Sequence, residues 1–222
     1  MSFYRRIKYF LVHTLKLSNK EAQQLIDDGK LQIDGVIISE NCQLIDTSEI
    51  KINGKIVREK KEFVYLLFNK PTGFESTLNK NIEKNLSPFF EGFEGLSIAG
   101  RLDKASEGLL ILSNDGKWVE NLCNPKFEKE KEYIVTLDKP ITEEFIERFK
   151  NGVPIDKIVT KECFCKKINN TTIKVVLKEG KNRQIRKMCK VLGSEVLNLK
   201  RTRISEFLLA DLQVGSFLIT KI

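Results

Sequence analysis

The sequence has few of the residues that metal sites, catalytic triads and disordered segments depend on. Its 222 residues include one histidine, one tryptophan, 13 glycines and 5 prolines. The single histidine, His13, argues against a zinc site and against a histidine-based catalytic triad. Glycine and proline fall below average use, which argues against a low-complexity or disordered chain. No apolar run approaches the about 18 residues that a membrane helix needs, and basic residues interrupt the N-terminal apolar stretch, unlike a secretory signal.

Cysteine is also scarce, with five residues and therefore an odd count. This usage predicts a reduced, cytoplasmic protein whose cysteines fill apolar sites. Cys163 and Cys165 stand two apart, but no second Cys or His pair accompanies them, so the spacing is a poor metal signal. We therefore expect no bound metal.

Positive charge is abundant and unevenly distributed. The formal net charge is +8, and residues 160–203 hold thirteen Lys and Arg against three acids. A block this one-sided favours a polyanionic partner, most plausibly RNA or DNA.

Residues 1–57 are predicted to form a compact unit of two helices and a small β-unit. Residues 3–17 have helical periodicity, and Ser18 with Glu21 makes a capping box for a second helix that ends before Gly29. Two short strands follow in LQIDG and VIIS, and Asn53-Gly54 marks a turn in the next β-segment.

The stretch LSNKEAQQLIDDGKLQIDG resembles the S4 RNA-binding domain. The resemblance implies RNA binding by this unit, with Lys20 among its contacts. S4 domains usually carry Arg-Arg or Arg-Lys after the capping serine, where this chain has Asn19-Lys20. We therefore expect the unit to contribute only part of the RNA affinity.

A charged segment, VREKKEF at residues 57–63, predicts a flexible linker. The second domain, residues 63–222, begins with the strand-like run FVYLLF and then alternates short strands and helices. The strand candidates are SIAG, GLLILSN, KEYIVTLD and TTIKVVLKE, and the helix candidates are DGKWVENLC, TEEFIERFK and RQIRKMCKVLG. This order predicts a mixed, mainly antiparallel α+β domain.

The densest candidate for chemistry is SIAGRLDKASEGLLILSNDG. Asp103 falls in a short polar loop between two apolar strands, bounded by Gly100 and Gly108. Arg101 and Lys104 flank it, and neighbouring cations favour an ionised carboxylate suited to nucleophilic or base chemistry. From spacing alone, an aspartate in such a loop is more often a turn-former or a helix cap.

A basic helix is predicted over residues 183–192, with Asn182 as its N-cap. Its helical spacing places four basic side chains on one face, namely Arg183, Arg186, Lys187 and Lys190. Apolar side chains occupy the opposite face, so the basic face is left for an anion.

Four stretches resemble one enzyme family: FNKPTG, GRLDKASEGLLILSNDG, KEYIV and EGKNRQIRKMCKVLGSEVLNLKRTRI. With the S4-like unit, they resemble the pseudouridine synthases of the RsuA/RluB/RluF type, and among these most of all the RluF branch. Ser106 stands where the family often has threonine, which keeps the hydroxyl group.

The resemblance implies roles for individual residues. Asp103 is expected to be the catalytic aspartate, Tyr133 to stack on the target uracil, and Arg186 to pair with the aspartate. The expected RNA contacts in this domain are Arg101, Lys104, Arg183, Gln184, Lys187 and Lys190.

The implied reaction isomerises a uridine in structured RNA, and it requires no cofactor or metal. Large-subunit ribosomal RNA is the expected target and a monomer the expected state. The alternatives are the same chemistry on small-subunit ribosomal RNA or tRNA, and a non-catalytic S4-type ribosome assembly factor. A glycosidase or nuclease is disfavoured because Glu107 is the only other acid near Asp103 in the sequence.

Overall fold

The computed structural model describes residues 6–44 and 47–221. The chain divides into two compact units, Met1–Phe63 and Val64–Ile222. Within the described ranges, no helix combines the length and the apolar character that crossing a membrane requires.

The first unit packs two helices against a four-stranded antiparallel sheet of order β2-β1-β3-β4. The elements are α1 (Ile7–His13), α2 (Asn19–Asp27), β1 (Leu31–Ile33), β2 (Val36–Ile37), β3 (Ile50–Ile52) and β4 (Lys55–Arg58). The predicted capping box is present: the Ser18 hydroxyl accepts from the Glu21 backbone N–H, and the Glu21 carboxylate accepts from the Ser18 N–H. Asn53 and Gly54 both have positive φ, as the predicted turn between β3 and β4 requires.

Two predicted boundaries in this unit were wrong. The first helix ends at His13 rather than residue 17, because Lys16 adopts a left-handed conformation with φ 60° that redirects the chain toward the cap of α2. Residues 3–5 of that predicted helix lie outside the described residues. The linker begins later than predicted, since Val57 and Arg58 still belong to β4.

The second unit is built on a nine-stranded mixed sheet whose principal order is β11-β12-β8-β13-β7-β5-β15, with β6 paired to β7 and β14 to β13. Its strands are β5 (Tyr65–Lys70), β6 (Ser97–Ala99), β7 (Glu107–Ser113), β8 (Lys131–Leu137), β9 (Pro154–Ile155), β10 (Ile158–Val159), β11 (Phe164–Lys167), β12 (Thr172–Leu177), β13 (Val196–Ile204), β14 (Phe207–Leu208) and β15 (Phe217–Thr220), of which β9 and β10 form a separate hairpin. Its helices are α3 (Gly116–Cys123), α4 (Glu143–Lys150) and α5 (Gln184–Val191), with 3-10 turns at Ser87–Phe90 and Pro125–Phe127. Among the described strand pairs of this sheet, only β13 with β7 is parallel, which confirms the predicted mixed, mainly antiparallel α+β class.

The central strands are buried on both faces because helices cover each side of the sheet. Leu66 and Phe68 of β5 join one core cluster together with α4 and α5, whereas Leu67 joins a second cluster with α3. Near-continuous apolar runs such as YLLF are typical of such doubly covered strands.

Strand β13 lies in the middle of the sheet, although its sequence, VLNLKRTRI, had not been identified as a strand. It runs parallel to β7, pairing Arg201 with Gly108. Gly108 has φ +102°, and a Cβ there would lie 2.3 Å from the Arg201 carbonyl oxygen. Only glycine therefore lets β7 approach β13 so closely at the end of the Asp103 loop.

Candidate active site

The second unit contains a cavity of about 680 Å³. Its walls come from the β6–β7 loop, the start of β8, the segment before α5, and β13. Asp103, Tyr133 and Arg183 line it, and the same three residues line a smaller adjoining pocket that also includes Ser106 and Gln184. The sequence motifs for chemistry therefore converge on one place.

Asp103 lies between two arginines from the α5 region. Its Oδ2 atom is 3.6 Å from Arg183 Nη1 and 3.7 Å from Arg186 Nε. The pairing with Arg186 is the one that the family resemblance implies, whereas the flanking Arg101 and Lys104 form no ion pair with Asp103 among the described residues. The start of α5 brings Arg183 to the carboxylate from 80 residues away in the sequence.

Arg186 is fixed by the backbone around it. Its Nη2 donates to the Ala105 carbonyl at 2.9 Å and to Ser106 Oγ at 3.2 Å, and its Nη1 donates to the Val196 carbonyl at 3.0 Å. Among the described residues, its buried Nε has no hydrogen-bond partner. Burial and Arg183 lower the pKa of the Arg186 guanidinium, and Asp103 opposes that change. The Nε atom lies 3.7 Å from Asp103 Oδ2, which is longer than a hydrogen bond.

A buried lysine holds the loop that carries Asp103. The Lys70 ammonium donates to the carbonyls of Pro71, Asp103 and Ser106 at 2.9, 3.3 and 2.8 Å. The side chain is fully buried, and that burial lowers the pKa of Lys70 to about 8. Ser76 adds a second tie, because its hydroxyl donates to the Leu102 carbonyl at 2.7 Å and accepts from the Leu102 N–H at 3.0 Å. The side chains of Lys70 and Ser76 therefore hold the backbone of the Asp103 loop through hydrogen bonds.

We expect Lys70→Met to destabilise the protein by about 2–4 kcal/mol, because three buried carbonyls lose their donor. Turnover should fall about tenfold or more as the Asp103 loop loosens. Lys70 has a folded pKa of about 8 against an ordinary 10.5, so the unfolded chain binds the extra proton between these values. Wild-type stability should therefore rise relative to the Met variant as pH increases from about 8 to about 10.5.

Urea unfolding across this pH range measures the difference between wild type and Lys70→Met. Lys104→Met is the matched control, since Lys104 lies in the same loop but is exposed. A Lys70→Met protein as stable and active as the Lys104→Met protein would show that the loop needs no such tie.

Tyr133 lies on β8 within the cavity wall. It is only 8% exposed, and it pairs across the sheet with Val175 on β12 and with Arg201 on β13. An aromatic ring that lines the same cavity as the Asp103 carboxylate is a suitable surface for stacking an unstacked base.

The start of α5 differs from the prediction. Its N-cap is Arg183, not Asn182, with a left-handed φ of 51° and no side-chain capping bond. Gln184 is buried, and its amide donates to Glu179 Oε1 at 2.7 Å and accepts from the Lys181 N–H at 3.0 Å. The amide of Gln184 thus shapes the loop before α5, and its predicted contact with RNA stays a prediction.

The other predicted RNA contacts have different positions. Arg101 is exposed and lines the cavity, whereas Lys104 and Lys190 are exposed outside it. Lys187 forms an ion pair with Asp156. Lys20 is exposed at the start of α2, in the first unit.

Arg201 is a cavity residue that sequence reasoning missed. Its guanidinium is buried and lines the cavity. Because Lys200 and Arg203 beside it are also basic, the segment has the pattern of an exposed charged stretch. The available signal was the β-strand alternation of VLNLKRTRI, which places Leu199 and Arg201 on the same face.

A cavity lined by many basic side chains, with a carboxylate between two arginines, is typical of an enzyme site that binds an anionic substrate. A family model described as RNA pseudouridylate synthase matches residues 64–190. Over 96% of its length, the chain is 36% identical to the dual-specificity RNA pseudouridine synthase RluF of Escherichia coli strain K12, of which 74% is covered. Over 95% of its length, it is 30% identical to the ribosomal large subunit pseudouridine synthase B of Bacillus subtilis strain 168, of which 89% is covered.

A solved structure described as a pseudouridylate synthase matches with a TM-score of 0.70 and 26% identity, covering 98% of this chain and 96% of that one. The chain belongs to the RNA pseudouridylate synthase family. Its activity is the isomerisation of uridine to pseudouridine in RNA, as the sequence motifs predicted.

Proposed function

We propose that this enzyme isomerises one specific uridine in structured large-subunit ribosomal RNA, with Asp103 as the catalytic carboxylate. The observation that carries the assignment of Asp103 is its position. It is the acid that two arginines hold at 3.6 and 3.7 Å, inside the cavity that Tyr133 also lines.

The reaction breaks the bond between uracil N1 and ribose C1′ and forms a bond between C5 and C1′. The C5 proton leaves to solvent and N1 gains a proton, so atoms balance without an added reactant. Asp103 acts at the sugar, either by adding to C1′ or by removing the C2′ proton. Arg183 and Arg186 hold the carboxylate in place in both cases.

Tyr133 and the cavity walls retain the detached uracil while it turns. The target nucleotide must leave its stack to enter the cavity, which costs a few kcal/mol. Contacts between basic side chains and RNA phosphates offset that cost. Arg101, exposed at the cavity wall, is placed to contact RNA beside the flipped nucleotide.

The choice of ribosomal RNA rests on the relatives. One is described as acting on the large ribosomal subunit, and another is described as dual-specificity. Small-subunit ribosomal RNA and tRNA are the alternative substrates.

Incubation of the purified enzyme with unmodified large-subunit ribosomal RNA, small-subunit ribosomal RNA and tRNA transcripts tests the assignment. Nucleoside analysis should show pseudouridine in the large-subunit transcript at about one residue per molecule. Product confined to tRNA or small-subunit RNA would overturn the proposed target, and absence of product in all three would overturn the proposed substrate class.

We propose that the first unit is an S4-type module that docks RNA and takes no part in the chemistry. Among the described residues, one hydrophobic core cluster consists of side chains of that unit, including Ile7, Ala22, Leu31 and Ile50. A separate core supports a unit that folds independently.

Deleting residues 1–63 should therefore weaken RNA binding and reduce the dependence of affinity on salt. The single-turnover rate at saturating RNA should change less than about threefold. Binding by filter retention at several KCl concentrations, together with single-turnover rates, measures both effects. A truncated protein that folds and saturates with RNA but does not turn over would place part of the active site in the first unit.

A further inference from the structure

One wall of the cavity carries two cations that no acid neutralises. Arg201 is 1% exposed, and Lys131 is half-buried beside it. The acids that line the cavity are Glu75, Asp103 and Glu179. Among the described residues, no carboxylate lies within ion-pair distance of Arg201 or Lys131, whereas Asp103 and Glu179 have other cationic partners.

The sheet register explains why these two side chains meet. Lys131 and Tyr133 are two residues apart on β8 and therefore share a face. Arg201 on β13 is directly opposite Tyr133. Lys131, Tyr133 and Arg201 consequently line one side of the cavity, next to the ring that is expected to stack on uracil.

Both cations retain donors for a ligand. Arg201 donates from Nε to the Leu109 carbonyl at 2.7 Å and from Nη2 to the Gly100 carbonyl at 2.6 Å, which leaves Nη1 without a hydrogen bond among the described residues. The Lys131 ammonium donates to the Lys129 carbonyl at 2.8 Å, and two of its three protons remain available. Burial and the charge of Arg201 lower the pKa of Lys131.

Two like charges in a partly buried site repel each other and lose hydration. An anion placed between them would remove both penalties and accept the unused protons. Arg201 and Lys131 line the large cavity but not the small pocket beside Gln184 and Ser106. The anion would therefore sit to one side of the reacting sugar rather than at it.

We propose that Lys131 and Arg201 form a subsite for one RNA backbone phosphate adjacent to the flipped uridine. This inference rests on the proposed function, since it assumes a nucleotide held at Asp103 and Tyr133. The subsite anchors the strand next to the target. Its role is affinity for the RNA, not bond breaking or orientation of the sugar.

The test compares Lys131→Gln with Lys117→Gln, which removes the same charge from an exposed position on α3 outside the cavity. The probe is a ribosomal RNA fragment that the wild-type enzyme converts. For Lys131→Gln we expect about tenfold weaker binding, and a slope of log affinity against log salt reduced by about 0.7–0.9. The rate at saturating RNA should be retained, and Lys131→Arg should restore the slope.

A second experiment changes the RNA instead of the protein and identifies which phosphate the subsite binds. Fragments with a single neutral methylphosphonate, scanned along the linkages flanking the target, should weaken wild-type binding at one linkage. A methylphosphonate at that same linkage should not weaken RNA binding by Lys131→Gln any further, because the variant has already lost the contact.

An unchanged salt slope for Lys131→Gln, or a loss of saturated rate without weaker binding, would overturn the subsite. A methylphosphonate scan in which no flanking linkage affects the wild-type enzyme would also overturn it, even if Lys131→Gln folds poorly. Failure of the wild-type enzyme to convert any RNA is a separate result, because it would reject the proposed function instead.

Discussion

Asp103→Asn is expected to abolish pseudouridine formation, with a loss of at least about a thousandfold in single-turnover rate. Asparagine is nearly isosteric with aspartate, but its amide is neither a nucleophile nor a base. The two arginines that hold the carboxylate would then face a neutral group. Release of tritium from RNA labelled at uracil C5 measures the rate, because that hydrogen leaves in the reaction.

RNA binding and thermal unfolding serve as the controls for Asp103→Asn. The side chain is a quarter exposed, and the loop backbone is held by Lys70 and Ser76 rather than by the carboxylate. Both properties should therefore stay near wild type. A variant with activity within about tenfold of wild type would show that the carboxylate is not the catalytic group.

Arg186→Ala is expected to lower the saturated single-turnover rate by about 100- to 1000-fold, comparable to losing a preorganised catalytic donor. The guanidinium contacts the Asp103 carboxylate and also ties the Ala105 carbonyl and Ser106 to α5. Its removal both withdraws the charge partner of Asp103 and releases the loop that carries it. Arg186→Lys should recover part of the rate, since the charge remains but the planar fork is lost.

Lys190→Ala is the matched control on the same helix. Lys190 is exposed and outside the cavity, so its rate at saturating RNA should remain within about twofold of wild type. Equal losses for Arg186→Ala and Lys190→Ala would mean that α5 acts only as a surface for RNA phosphates.

Local signals predicted most of the fold. The capping box at Ser18 and Glu21, the turn at Asn53-Gly54 and the apolar run of β5 each depend on neighbouring residues, and each is present in the structure. Strand β13 escaped prediction because its inward position carries Arg201 instead of an apolar residue. A buried arginine looks like surface charge until its carbonyl partners, Leu109 and Gly100, are known.

The parts of the candidate site that lie in sequence motifs could be predicted. The parts that depend on tertiary contacts could not. Asp103 and Tyr133 line one cavity, and Arg186 reaches the Asp103 carboxylate at 3.7 Å. The second arginine at the carboxylate, Arg183, was expected to contact RNA, and its reach to Asp103 depends on the left-handed turn at the start of α5. The hydrogen bond from the Gln184 amide likewise depends on the position of Glu179, which sequence spacing does not predict.

Mapping pseudouridine in ribosomal RNA from cells that lack the gene, complemented by wild type or by Asp103→Asn, tests the central claim most directly. We expect one large-subunit uridine to lose its modification in the deletion strain, to regain it with the wild-type gene, and to stay unmodified with Asp103→Asn expressed at an equal level. Restoration of the modification by Asp103→Asn would contradict the assignment of the catalytic carboxylate.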